Sequence, residues 1–546
     1  MKRLLSLLLA LLLLSGCAVR TPETVRADLS FGEMRDSGLD AALECARAKA
    51  LLLRIERGEI SVREAQTLLD AHREALERLS TDAALAYVRY CFDVTNAENR
   101  AAYDALYECV GTLRATLETA AQKLSEGASK RERDDGTDAI GPLLRQEREL
   151  VGQYEGLSAT LSVEYGGRRR TGDEILSDPT LSEEEFTALY EAYAALFHAE
   201  ASRIFLALVD VRNAIASARG FDSYSDYAYA SLRADGSPAD AQAFSERVRT
   251  AFAPLLKEWN ADYVRAAVQL YGMAFPKEAT ISRVGEAIVS ILPDLEEPWD
   301  YMVTHGLYDF GSDSTRMPGS FTTYFASYGA PFLFGEWTGG SDMPPLIAHA
   351  FGQFASLFRN GDVNNYGKRA DLAEFDAQGL ELLTVLRYDK LYGDLREAAE
   401  TAELFYAVYA LLAGCMADAF ERFAYGQSGV TAEALDEAYA RLLDEYGLFA
   451  IRSDPRSWTQ IAQVFQTPFR GAAYAAGTAA ALELYLIGRK DERRAAEAYR
   501  TVLSRKAEAR FSETLKAAGL RDPFEAGTIE MTAYGLGNVR RNRKSK

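Results

Sequence analysis

Apolar residues recur every three or four positions along most of this chain, the period of a helix with one buried face. From about residue 30 to about 125, leucines and alanines keep that spacing and proline is nearly absent. Ser61-Val-Arg-Glu64 and Ser182-Glu-Glu-Glu185 have the form of capping boxes and predict helix starts. After 182 the helical pattern continues to about 300, broken at Gly220-Phe-Asp-Ser-Tyr-Ser-Asp-Tyr227 by turn chemistry. It returns over 371–425, over Thr431 to Tyr446 with Gly447 as its stop, and over Ala472 to Leu486. Two stretches change period. Leu161, Val163 and Tyr165 alternate before Gly166-Gly167, which predicts a small β-hairpin within Thr160–Thr171. Phe321 to Trp337, punctuated by glycines, is the β-like part of the second half, and Phe332-Leu-Phe-Gly-Glu-Trp337 is expected as an edge strand that pairs with an extended peptide. Glu126 to Asp138 is a charged break, expected as an exposed loop. The whole predicts a mostly α fold.

The first residues obey another rule. Lys2 and Arg3 precede an apolar run from Leu4 to Leu14, interrupted only by Ser6, and Leu14-Ser-Gly-Cys17 follows. This is a secretory signal whose end resembles a bacterial lipobox, with Cys17 as the lipidated residue. Residues 1–16 are then the lipoprotein signal peptide, 17–175 an N-terminal helical domain ending in the hairpin, and 176–546 a second helical domain. Residues 18 to about 30 read as a tether, which places the protein outside the cytoplasm on the bacterial cell membrane. Beyond the signal, no stretch is expected to be apolar for long enough to span a membrane.

Net charge is −19, and loss of the signal takes it to −21. That sign argues against a nucleic-acid partner. The basic end Arg540 to Lys546 reads as a solvated tail. Cys45, Cys91, Cys109 and Cys415 form no close-spaced pair, so zinc-ribbon and redox motifs are not supported; Cys91 and Cys109 are either a disulfide or two buried thiols.

Candidate chemistry lies on Leu346 to Phe358. Leu346, Phe354, Leu357 and Phe358 share one helical face, and His349, Gln353 and Ser356 share another. A zinc peptidase carries His-Glu-x-x-His on such a face: two imidazoles one turn apart hold the metal, and the Glu takes a proton from the bound water. Here His349 stands first, Ala350 takes the place of the Glu and Gln353 that of the second His. Downstream, Glu374, Gln378 and Glu381 form one polar stripe on an apolar helix, a pattern that is usually a solvated face.

Taken in order, these segments resemble the thimet oligopeptidase/oligoendopeptidase F family of zinc peptidases, the oligoendopeptidase F branch above all, from about 155 to 530. Leu161-Ser-Val-Glu-Tyr165, Gly220-Phe-Asp-Ser-Tyr224, Arg316-Met-Pro-Gly-Ser-Phe321, Leu346-Ile-Ala-His349, Leu372-Ala-Glu374, Pro468-Phe469 and Tyr474-Ala-Ala-Gly477 carry the resemblance. It implies a helical shell around a deep peptide channel with a small antiparallel sheet near the site helix, and one zinc that hydrolyses short peptides. It makes His349 and Glu374 the residual ligand positions, Gln353 a lost ligand, Ala350 the lost general base, and Gln463, Tyr474, Trp337 and Glu381 residues of the peptide cleft. Gln463 replaces a His that helps bind the polarised carbonyl, and Arg470 and Ala472 stand where tyrosines usually lie.

Two ligands and an amide make a poor catalytic zinc site, and loss of a general base alone costs about 10²–10⁴ in rate. The expectation is a membrane-anchored pseudopeptidase that binds a peptide or protein in its cleft and needs no cofactor, with zinc as the metal if the residual site binds one. The alternatives are an active metallo-oligopeptidase whose altered site recruits Glu381 or Asp371, and a structural or assembly lipoprotein.

Overall fold

Side-chain caps start the long helices where the capping boxes predict. Ser61 accepts from the Glu64 amide at 3.2 Å and opens the helix Val62–Phe92; Ser182 and Glu185 bond reciprocally and open Glu183–Ala218. The computed structural model describes residues 26–128, 137–232, 235–313, 315–317, 319–361, 369–448, 454–506 and 509–544. It is 74% helical, the mostly α class that the apolar spacing implies. The alternation around Gly166-Gly167 gives β1 (Ser162–Tyr165) antiparallel to β2 (Arg168–Thr171), with Tyr165 opposite Arg168. Cys17, and residues 129–136 of the charged break, lie outside the described residues.

The chain forms two compact units, neither of them one continuous stretch. The first takes the chain up to Arg131, with Glu297–Trp337 and Phe354–Val363. Its helices Ala41–Glu56, Val62–Phe92 and Ala97–Ala128 bury Leu51, Leu69, Leu79, Leu113 and Leu117 together. Its sheet consists of β3 (Tyr308–Gly311), β4 (Phe321–Phe325) and β5 (Ala330–Glu336) in the order β3-β5-β4, with β5 antiparallel to β4 and parallel to β3. The run 332–337 is therefore not an edge. Ala330 to Gly335 are all buried, and a strand bonded on both sides has no free backbone row for a peptide. Nor is the chain a free tether as far as residue 30. Arg26 donates to the Phe358 carbonyl at 2.8 Å with its guanidinium over that ring, and Phe31 packs 4.8 Å from Phe332. Cys91 and Cys109 are free thiols, not a disulfide: the Cys91 thiol meets the Met317 sulfur, and the Cys109 carbonyl accepts from the Cys45 thiol at 3.2 Å.

The second unit takes Glu132–Glu296, Thr338–Gln353 and Asn364–Lys546, so residue 175 falls inside it. Trp458, Phe205, Phe420, Phe465 and Tyr485 fill its core. Arg212, 1% exposed, is held there by Glu147, the Tyr425 hydroxyl and the Phe465 carbonyl. Contrary to expectation, Ala370–Gly426 contains a window long and apolar enough to cross a membrane by composition. It folds as the helices Ala370–Thr384, Tyr388–Tyr392 and Arg396–Gly426, which bury Asp376, Glu403, Asp418 and Glu421, so its apolarity is that of a protein core. The basic end is not a loose tail at its start either. The helix Thr528–Lys544 carries Arg540, which bonds Asp262 at 2.6 Å and Glu258 at 2.9 Å.

Candidate functional site

Two glycines let the site helices touch. The helix Met343–Asn360, which carries His349, reaches Ala370–Thr384 at Gly352, where a Cβ would lie 2.2 Å from the Asp376 carbonyl oxygen. The helix Gly471–Gly488 reaches the same partner at Gly477, where a Cβ would lie 2.5 Å from the Asp371 carbonyl oxygen and 2.8 Å from the Glu374 Cβ. Backbones this close leave no room for any side chain.

His349, Glu374 and Glu381 meet across these contacts. His349 Nδ1 lies 2.7 Å from Glu381 Oε2. Glu381 interacts in turn with Glu403 on Arg396–Gly426, and the Tyr388 hydroxyl donates to Glu403 Oε2 at 3.2 Å. The Thr478 hydroxyl donates to Glu374 Oε1 at 3.4 Å. The polar stripe Glu374-Gln378-Glu381 is thus turned inward, with Gln378 only 5% exposed. Its usual reading as a solvated face does not apply.

Burial dominates the electrostatics. It pushes the Glu381 carboxyl up to about 7, helped by the charge of Glu374 and eased by the side chains of Glu403 and Gln378. Burial also raises Glu374, against the pull of His349 and Thr478. It raises Glu403 well above the ordinary carboxylate range, with the charge of Glu381 adding to the effect. With Glu403 neutral and Glu381 ionised, Glu403 donates to Glu381 and the Glu381 carboxylate accepts the Nδ1 proton of His349. That leaves Nε2 of His349 as an acceptor on the other side of the ring.

The remaining expected positions are on separate elements. Ala350 is 3% exposed, so the general-base position is an apolar contact within the helix packing. Gln353, one turn beyond His349, is half-buried. Gln463 lies half-buried on the short helix Ala462–Gln466. Tyr474, also half-buried, precedes Thr478 by one turn of the same helix. Trp337 belongs to the first unit, where its amide bonds the Gly311 carbonyl at 2.7 Å and its ring meets Phe310 edge-on. Glu403, Tyr388 and Thr478 were not expected from the sequence. Glu403 has one legible signal: it shares a helical face with Ala407 and Leu411, both buried, where a solvated Glu would be out of place.

The donors do not fit a catalytic zinc. Such a site takes three protein ligands and an open position for water. The face offers one imidazole, open at Nε2 while Glu381 holds Nδ1, and one carboxyl, Glu374, whose ionisation burial opposes; that is two ligands where three are needed. The amide of Gln353 is a weak third donor. Among the described residues, no three His, Cys, Asp or Glu side chains come together as a metal group. The recruits proposed for an altered site are committed elsewhere: Glu381 sits behind the imidazole, and Asp371 is paired with Arg369 and accepts the Leu372 amide at 2.8 Å.

No protein-family model matches the chain, and no curated protein does. Solved structures do. An X-ray structure assigned as oligoendopeptidase F superimposes with a TM-score of 0.72 at 21% identity, over 95% of this chain and 99% of that one. PZ peptidase A with inhibitor 2 gives 0.74 at 19% identity, over 94% and 99%. The chain has the oligoendopeptidase F fold. A structure assigned as oligoendopeptidase F from Bacillus anthracis gives 0.71 at 18%, over 94% and 98%. More distantly, the M32 carboxypeptidase of Deinococcus radiodurans gives 0.53 at 14%. At these identities the likeness is one of fold. What this chain does on that fold depends on its own residues.

Proposed function

We propose that this chain is a membrane-anchored lipoprotein that binds short peptides, or an extended segment of a protein, at its His349 face without cleaving them. The observation that carries the reading is the donor set. His349 is the one imidazole of the face, Ala350 supplies no proton acceptor, and Gln353 supplies no second imidazole. With a buried carboxyl, a half-buried amide and an imidazole acceptor, the face has the hydrogen-bonding chemistry of a peptide binder rather than that of a water activator. Acylation at Cys17 would keep this face outside the cytoplasm, and the acidic charge makes nucleic acid an unfavourable partner.

The test is incubation with a mixed pool of short peptides in the presence of zinc, followed by melting and by mass spectrometry of the pool. The expected result is a higher melting temperature with the pool unchanged, and loss of that shift in His349→Ala. Cleavage products that disappear with a chelator would replace this reading with an active peptidase. Neither a shift nor products would leave a structural or assembly role.

A further inference from the structure

On the other side of the Glu403 helix lies an open cavity of about 230 Å³, lined by three helices of the second unit: Pro238–Leu270, Arg396–Gly426 and Thr528–Lys544. The first two run antiparallel. Tyr263 stacks 4.2 Å from Phe405, while Ser245, nearer the start of its helix, lies beside Cys415, further along the other. Leu404 therefore lies at the Trp259–Asp262 end of the cavity. Glu397, seven residues and about 10 Å away along the axis, lies at the Gln269 end.

The two ends differ in charge. At the first, Asp262 is shared between Arg265 and Arg540, and Arg540 also takes Glu258 through its side chain and its carbonyl. Arg265 gives one bond there out of the five donors of a guanidinium, and its side chain is 63% exposed. At the second, Glu397 is 4.0 Å from Arg396, too far for a hydrogen bond, and 70% exposed. Between them the wall is apolar: Trp259, Ala266, Leu404 and Val539. The volume holds about eight waters, the size of a small organic molecule rather than of an ion.

We propose that this cavity binds a zwitterionic dipeptide with an apolar side chain, long enough to place its two charges at the two ends. Its carboxylate meets Arg265, its ammonium meets Glu397, and its side chain lies against Trp259, Leu404 and Val539. The site is independent of the His349 face, although the two share a helix: Glu403 interacts with Glu381, and the next residue, Leu404, lines the cavity.

The experiment is calorimetric titration of the full chain with L-leucine, with L-leucyl-L-leucine and with N-acetyl-L-leucinamide, which has the side chain and neither charge. Saturable binding of leucyl-leucine is expected, and none of leucine, whose two charges sit on one carbon and cannot reach both ends, or of the capped compound, which has neither charge. Arg265→Gln and Glu397→Gln, both at exposed side chains, should each raise Kd at least tenfold while the melting temperature stays that of the native chain. His349→Ala should leave Kd unchanged. No saturable binding, binding that survives both charge removals, or binding lost in His349→Ala would overturn the proposal.

Discussion

His349 Nδ1 and Glu381 Oε2 lie 2.7 Å apart on neighbouring helices, so the one imidazole of the site is held from behind by a largely buried carboxyl. Replacing that carboxyl with the isosteric amide in Glu381→Gln keeps the shape and removes the charged acceptor. Selective ¹⁵N labelling of the four histidines reads the effect directly. The native ring should hold its proton on Nδ1, and the variant should show both tautomers in exchange. Peptide affinity should fall about tenfold or more, since a hydrogen bond to a charged group contributes about 1.5–3 kcal/mol. An unchanged His349 spectrum would mean that Glu381 does not orient the ring.

Gly352 tests the helix contact that assembles the site. In Gly352→Ala the new Cβ would lie 2.2 Å from the Asp376 carbonyl oxygen, so the backbones must part, at about 1–3 kcal/mol. The control is Gly111→Ala on the exposed side of Ala97–Ala128, where nothing lies within 4 Å. That change should be neutral or stabilise the protein by up to about 1 kcal/mol. Urea melts of the two variants should move in opposite directions or differ by that sum.

Glu421 sets a pH dependence away from His349. Its Oε2 accepts the amide of Phe469, a non-glycine residue held at φ 64°. Burial, helped by the charge of Asp418 and eased by Arg212, raises Glu421 well above the ordinary range. A group raised on folding adds its full stability below its unfolded value, and that stability is lost as pH climbs towards the folded value. Glu421→Gln keeps an acceptor for Phe469 and cannot ionise. Its melting temperature should therefore exceed that of the native chain by a margin that grows from pH 5 to pH 8. Parallel profiles would place the ionisation cost elsewhere.

Much of the fold was legible because it is local. Ser61, Ser182 and Thr431 are caps with partners three residues on, and Gly166-Gly167 fixes the β1–β2 hairpin. The shared faces of His349 with Gln353, and of Glu374 with Glu381, follow from 3.6-residue spacing alone. What escaped is tertiary. β3 is four residues long, too short to show a period. The apolar run of β5 suits a central strand at least as well as an edge, and only its pairing with β3 decides between them. The inward turn of Glu381 depends on Glu403, 22 positions later on another helix, and no spacing rule links those two residues. Likewise the partners of Arg540, Asp262 and Glu258, lie far earlier in the chain, where the basic run that contains Arg540 gives no sign of them.

The most direct test of the central claim is the zinc content of the purified chain after growth in zinc-supplemented medium, with melting followed with and without chelator. The account predicts zinc far below one per chain and a melt that the chelator does not move. Near-stoichiometric zinc, with a melting temperature that drops when the metal is withdrawn, would contradict it and establish a working metal site built on His349 and Glu374.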